Sequence, residues 1–445
     1  MKTGFAKNCI TPWNGVPIIG YYEDRFVKGV LDDLYVSAVS FEDGGKRAIV
    51  LAVDVCELST AQCDKARAMI SRACGVDPDS IFINCSHTHT GPMIGKSHIG
   101  NTDGDPKYDE FFFKSLEKTA AESFNDMRES RFAIGKGKAE GISFIRRYRM
   151  KSGKVQTNPG VENPDTDHPL GTPTDTVKIF EIDREDGDDI VIVSFGTHAD
   201  SVGGELVSGD WPAFVCKTVE AAIPNVKCVF ILGAQGDVNH INPNPTEGDR
   251  RGLEYDTFDG VPRGYEHAKH MGRKVAAAAI AAYGKTEPVS SSGISYGTKE
   301  IIVPANKENS KLEESKRIAD IYDSGRASEL PYEKMELTTV VAEAKRIIDL
   351  ENGPESFPFV LSAIKLGEVT LAGLPGECFV EIGRTIEREN GSDSVFVCCL
   401  TNGGDTYFPT SSAYDEGGYE ARTSRLRKGG DKILVCGMSE LLKSL

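Results

Sequence analysis

The chain has 445 residues, of which 39% are hydrophobic and 27% charged, with Gly 46 and Pro 21; this is a globular composition, and the length allows a large buried core. Lys and Arg number 51 against 67 Asp and Glu, a formal charge of −16 with no Lys/Arg-rich stripe to interrupt it, which argues against nucleic-acid partners. No stretch approaches the ~20 apolar residues that a spanning helix needs, so stable membrane insertion is not expected.

The start, MKTGFAKNCITPWNG, has no apolar run of signal-peptide length and no small-residue cleavage site, so export is not expected. Eleven cysteines, an odd number, are scattered without a CxxC, several of them inside apolar runs (Cys228, Cys398, Cys399). Buried reduced thiols in a cytoplasmic protein are the plain reading.

Along the chain, strand-like runs at 47–55, 81–84, 176–182, 190–195, 227–232 and 394–400 alternate with helical patterns at 60–74, 108–127, 212–223, 265–284, 308–325, 331–352 and 378–390. Thr60 is a candidate N-cap and Gly75 a helix stop, while Pro212 suits a first helical turn. Strands separated by helices indicate an α/β fold with mixed β-sheets and flanking helices. The stretches 151–175 and 242–264 are rich in Gly, Pro, Asn and Asp, which argues against regular structure and for binding loops or lids. No linker divides the chain, so 1–445 reads as a single catalytic body, with a helix-rich insertion or cap at about 304–355.

Eight histidines are few enough for their placement to matter. His87 and His89 follow the run IFIN; two residues apart in extended chain, they point to one side and can address one site from a strand end. His198 follows IVIVSF in the same manner, and sites in open α/β sheets form beyond the carboxyl ends of strands. Each pair or single histidine can equally be an ordinary polar loop residue. A third junction, GAQGDVNHINP, offers Asp237, Asn239 and His240, either for substrate contact or as a polar turn. Glu377 follows a Pro-Gly turn at the opening of a helix, where first-turn capping competes with a site role. The loop TNGGDTYFPTSSAYDEGGYEA carries Tyr407, Tyr414 and Tyr419, residues that more often pack than ligate. His98 and His168 lie in loops, and His267 and His270 on a helix, expected at its surface.

Taken together, HTHTGP, FGTHADSVGGE…SGDWP, GAQGDVN, LPGECFVEIGR and the tyrosine loop resemble, in the same order, the motifs of the neutral (alkaline, non-lysosomal) ceramidase catalytic domain. The resemblance implies that fold and one Zn²⁺ ion held by His87, His198, Glu377 and Tyr407. It implies catalytic roles for His89, Arg146 in SFIRRYRM, and Tyr419, which keeps the family's spacing of twelve from the ligand tyrosine. Two departures stand out: Asn239 occupies the place of the family's serine, and Ile145 that of an asparagine before the arginine. An amide is neither nucleophile nor base at neutral pH, so a serine-dependent step is not expected here. The family's following immunoglobulin-like domain and a lipid-docking patch are also not expected, which makes a membrane lipid a poor substrate.

The sequence therefore implies a zinc-dependent hydrolase acting on an amide, ester or lactone carbonyl of a small-molecule substrate, with Asp237 and Asn239 on the substrate side. The alternatives are a lyase or isomerase using the same ion as Lewis acid, and a degenerate ligand-binding protein. Self-association into a homo-oligomer is left open.

Overall fold

The computed structural model describes residues 1–96, 102–246, 254–255, 262–391, 393–404 and 406–445. Successive side chains of a strand face opposite sides of its sheet, and that alternation sorts the apolar residues into layers. In the neighbouring strands Tyr35–Asp43 and Lys46–Val53, Val36, Ala38, Ile49 and Leu51 enter one core, while Val39, Phe41, Ala48 and Val50 enter another. The first core lies under the helices Thr60–Cys74, Pro106–Asn125, Asp210–Ala222 and Tyr265–Ala282. The second joins this sheet to a smaller one, through Ile364, Leu371 and Phe396. The outer face of the smaller sheet (Leu361, Ala372, Val397) packs on the helices Val380–Asn390 and Gly430–Lys443. Helices, sheet, sheet and helices thus form four layers of an α/β fold.

The larger sheet has nine strands. Eight run in the order Val226–Leu232, Asp189–Phe195, Thr176–Arg184, Arg128–Lys138, Lys2–Cys9, Tyr35–Asp43, Lys46–Val53, Ile81–Cys85, and Glu287–Val289 pairs beside Arg128–Lys138. The smaller sheet orders Ile294–Pro304, Ser356–Leu366, Val369–Gly373, Val395–Cys398. Both are mixed. Parallel pairing occurs at three places in them: Lys46–Val53 with Ile81–Cys85, Asp189–Phe195 with Val226–Leu232, and Val369–Gly373 with Val395–Cys398. The carboxyl ends of those strands lead into the loops that carry His87, His198 and Glu377.

Between the paired residues Pro304 and Ser356 the chain leaves the smaller sheet and returns to it. The excursion holds the helices Leu312–Asp323 and Lys334–Glu351, which share a small core of their own around Ile318, Val340 and Ala344.

Several local expectations change. Ser59, not Thr60, caps the first helix: its hydroxyl accepts from Gln62 N while Gln62 Oε1 accepts from Ser59 N, a reciprocal capping box. Gly75 ends that helix at φ 65 as expected. The stretch 151–175 is not irregular, since Val155–Thr157 and Thr166–Pro169 flank Arg147–Met150 in a three-stranded sheet. Most of 242–264, like His98, lies outside the described residues. His267 is buried rather than at the surface, with its ring centroid 5.1 Å from that of His240; His270 is exposed. All eleven cysteines carry free thiols. Among the described residues no helix is long and apolar enough to cross a membrane.

Candidate metal centre

The strand Ile81–Cys85 is buried throughout and ends two residues before His87. His87 and His89 do converge, their Nε2 atoms 3.3 Å apart, but not by extended-chain alternation. His87 sits at φ 67, in the left-handed region that a β-substituted residue enters only at a cost of about 1–3 kcal/mol. That turn aims the first imidazole inward, and backbone bonds from His87 N to Val55 O and from His89 N to Ala199 O hold the loop against its neighbours.

His198 reaches the same place from the end of Asp189–Phe195. Trp211 Nε1 donates to the His198 carbonyl at 2.9 Å, fixing its backbone from the adjoining helix. Glu377 does not cap the helix it precedes. It pairs in parallel register with Tyr407, so two residues thirty apart in the chain stand side by side. The cap is supplied instead by Asp237, whose Oδ1 accepts from Val380 N at 2.8 Å.

The three side chains meet at one point. Glu377 Oε2 lies 3.0 Å from His198 Nε2 and 3.4 Å from His87 Nε2, and all three ligand atoms fall within 4.8 Å of one another. Each imidazole is oriented from behind: His87 Nδ1 donates to Cys56 O at 2.9 Å, and His198 Nδ1 to Gln235 O and Val238 O, both at 3.0 Å. A ring whose Nδ1 carries the proton presents a lone pair at Nε2, and Arg146 Nη1 at 3.1 Å donates to that lone pair on His198. Gln235 Nε2 donates to Glu377 Oε2 at 3.1 Å. Two Nε2 lone pairs and a carboxylate, each fixed by an outer partner, are a donor set that fits zinc. Tyr407 adds a phenol whose oxygen accepts from Arg146 Nη2 at 3.2 Å. Cys56, the third member of a second close grouping with His87 and His89, is held as a thiol, because burial pushes its pKa up.

His87 carries the charge of the ion-free cluster: burial opposes this, but Cys56 and Glu377 outweigh it and hold its pKa well above the usual imidazole range, so its Nε2 would serve as a ligand only on losing that proton. Burial alone pushes the Glu377 carboxyl up, but His87 and His198 more than offset it and hold it well below the usual range. Burial, reinforced by Arg146, lowers His198 toward the neutral form. His89 is likewise held neutral by burial and by His87. Arg146 stays charged: burial opposes this, but Tyr407, Glu420 and Glu377 outweigh it, and Glu420 Oε1 accepts from Arg146 Nε at 2.6 Å.

The cluster opens into a cavity of about 660 Å³, whose wall includes His89, Arg146, His198, Tyr407 and Tyr419. Tyr419 OH is 3.0 Å from Tyr22 OH. Tyr322, Lys334, Met335 and Thr338, all from the 304–355 excursion, border the cavity as well. A second cavity of about 650 Å³ lies apart from this chemistry, where Lys136 and Lys178 are paired with Asp393 and Glu387.

The structure therefore brings together His87, His89, His198, Glu377, Arg146, Tyr407 and Tyr419. It places Asp237 and Asn239 one step behind the wall. Asp237 caps a helix, and Asn239, fully buried, donates to Asn158 Oδ1 at 3.0 Å. It is Asn158, at φ 48, that borders the cavity. Tyr414 packs, donating to Leu426 O at 2.8 Å. Gln235, Glu420, Tyr22 and Asp200 were not singled out from the sequence, although Gln235, Glu420 and Asp200 lie inside the quoted motifs.

A four-layer α/β body with a buried His/His/Glu cluster and a partly exposed tyrosine beside it, at the carboxyl ends of its parallel strands, is the class defined here. Among solved structures, that fold is the one of neutral ceramidase. A crystal structure of neutral ceramidase from Pseudomonas aeruginosa matches at a TM-score of 0.71 and 16% identity, over 100% of this chain and 75% of that one. A structure of ceramidase complexed with C2 matches at 0.73 and 15%, over 99% and 74%. No family model and no curated protein matches the sequence.

Proposed function

We propose that the protein is a metal-dependent hydrolase that cleaves the carbonyl–heteroatom bond of a small polar amide or ester. The observation that carries the reading is the convergence of His87, His198 and Glu377, more than a hundred residues apart in sequence, within 4.8 Å. The ceramidase fold supports it. His87, His198, Glu377 and Tyr407 would hold the ion. A zinc bound there would supply Lewis acidity and a water acidified toward pKa ~7.

The chain's own residues do the rest. Arg146 keeps its charge through Glu420; its Nη2 is taken up by Gly236 O and Tyr407 OH, which leaves Nη1 as the donor for the oxyanion that develops on an attacked carbonyl. Tyr419, hydrogen-bonded to Tyr22, is a second donor on that wall. His89, held neutral by burial and by His87, borders the cavity beside the cluster and is the candidate to pass a proton to the leaving group.

The substrate side favours a polar molecule. Tyrosines, glycines, Gln156, Asn158, Glu23 and Asp200 line the cavity, and among the described residues no Leu, Ile, Val or Phe does. The volume is that of a site for a small ligand. The test is to measure metal in protein purified without chelators, then screen amides, esters and lactones with product analysis in ¹⁸O-water. Label in the product supports hydrolysis. A folded protein that binds no divalent ion, or turnover without label, refutes the reading.

A further inference from the structure

The loop that delivers His198 also delivers Asp200, two residues on, into the same cavity wall. Its residue exposure is only 8%. Taking a carboxylate out of water is costly, so buried carboxylates normally collect several donors. Asp200 has one. His240 Nδ1 lies 3.0 Å from Asp200 Oδ1 and, facing an acceptor-only group, must donate. His240 is itself buried at 3% exposure, so this contact is built into the fold and is not a surface encounter. The second oxygen has no donor among the described residues.

Two further features of the wall say what that oxygen would accept. Tyr22 and Tyr419 line the space with aromatic rings, whose faces attract cations, while the rings of Tyr21 and Tyr407 already face Arg25 and Arg146. Of the two buried cations beside the cavity, Arg146 is already compensated by Glu420, and Arg25 turns its guanidinium to the carbonyls of Ile19, His89 and Gly204, so neither repels a positive ligand at full strength. Lys334 is exposed at the rim and screened by water, and the same cavity wall carries Glu23. The formal charge of −16 draws cations toward the molecule as a whole.

We propose that Asp200 docks an ammonium group of the substrate, so that the compound cleaved here is an amide or ester carrying a primary or secondary amine near the scissile carbonyl. This rests on the hydrolase reading above and narrows it. Asp200 binds and positions; it takes no part in bond breaking.

The experiment uses zinc-loaded full-length protein and isosteric pairs of p-nitroanilides: glycyl against propionyl, β-alanyl against butyryl, γ-aminobutyryl against pentanoyl. In the wild type at least one ammonium-bearing member is expected to exceed its neutral isostere in kcat/KM by about a hundredfold, and Asp200→Asn, which keeps an acceptor for His240, is expected to abolish the preference. A wild type without any such preference overturns the inference and leaves the hydrolase reading intact, as does a preference that survives in Asp200→Asn. If no anilide is cleaved at all, calorimetry with the matching carboxamides decides. Selective binding of an aminoacyl amide, lost in Asp200→Asn, upholds the docking role while the hydrolase reading fails; equal or absent binding overturns the docking role too.

Discussion

Replacing His198 by Ala separates a shared cation from a mere hydrogen-bonded cluster. Zinc sites of four protein ligands bind with about 10–16 kcal/mol, so one ligand carries about 2.5–4 kcal/mol, or two to three decades in affinity. Collapse of the neighbours cannot readily replace the lost imidazole. Its backbone is pinned through Trp211 Nε1, and the carbonyls of Gln235 and Val238 that held its Nδ1 belong to a loop tied to Cys378 O through Gln235 N and Gly236 N. The expected result is a zinc Kd raised by about 10²–10³, read by competition with a chromophoric chelator and by elemental analysis after dialysis. His168→Ala, at an exposed histidine off the site, is the control and is expected to change nothing. An unchanged Kd and stoichiometry in His198→Ala would refute the shared-cation reading.

Four further outcomes follow from single contacts. Gln235→Ala removes the donor behind Glu377 Oε2 and is expected to weaken zinc binding by about 10–100-fold in the same competition assay. Gly236→Ala would put a methyl 2.6 Å from the Glu377 carbonyl, which as backbone cannot step aside; reduced stability together with lost metal is expected, read by thermal melts with and without zinc. Glu420→Gln leaves the buried Arg146 guanidinium without its counter-charge and is expected to cost about 3–5 kcal/mol in urea unfolding. Burial holds the Asp54 carboxyl up at about 6, despite the bond from Tyr35 N. The folded chain then keeps that proton where the unfolded chain has released it, so stability falls as pH rises from about 4 to 6 and about 3 kcal/mol is lost above that. Asp54→Asn is accordingly expected to stabilise at pH about 8 and to be neutral near pH about 4, by urea midpoints at the two ends.

Legibility in the sequence followed burial. The runs 81–84, 190–195 and 227–232 are continuous apolar strands because both their faces are covered, and they were visible for that reason. Arg128–Lys138 was not, because its sequence RESRFAIGKGK alternates charges on an exposed face with few large apolar residues, yet it joins the two halves of the nine-stranded sheet. Ile294–Pro304, half exposed, escaped in the same way; Tyr35–Asp43 is buried on both faces, but its small polar serines break the apolar run, and the terminal helix Gly430–Lys443 was passed over as well. The helix Thr60–Cys74 came out to the residue, since its apolar period is bounded by a cap and a left-handed glycine.

For the site, the six strands of the three parallel pairs explain why histidines could be recognised and their supports could not. The loop after Lys46–Val53 supplies the Cys56 carbonyl, and that after Ile81–Cys85 supplies His87. The loop after Asp189–Phe195 supplies His198, and that after Val226–Leu232 the carbonyl and side chain of Gln235. The last pair leads to Glu377 and Tyr407. In each of the first two pairs one strand brings an imidazole and its parallel neighbour brings the carbonyl that orients it. Any residue type can present a carbonyl, so half of the arrangement leaves no trace in composition or spacing. The same reasoning accounts for Asp237 and Asn239: strand-end position suggested the substrate side, but whether a side chain turns to the cavity or to a helix N-terminus depends on a neighbour, here Val380 N and Asn158, that lies far away in the chain.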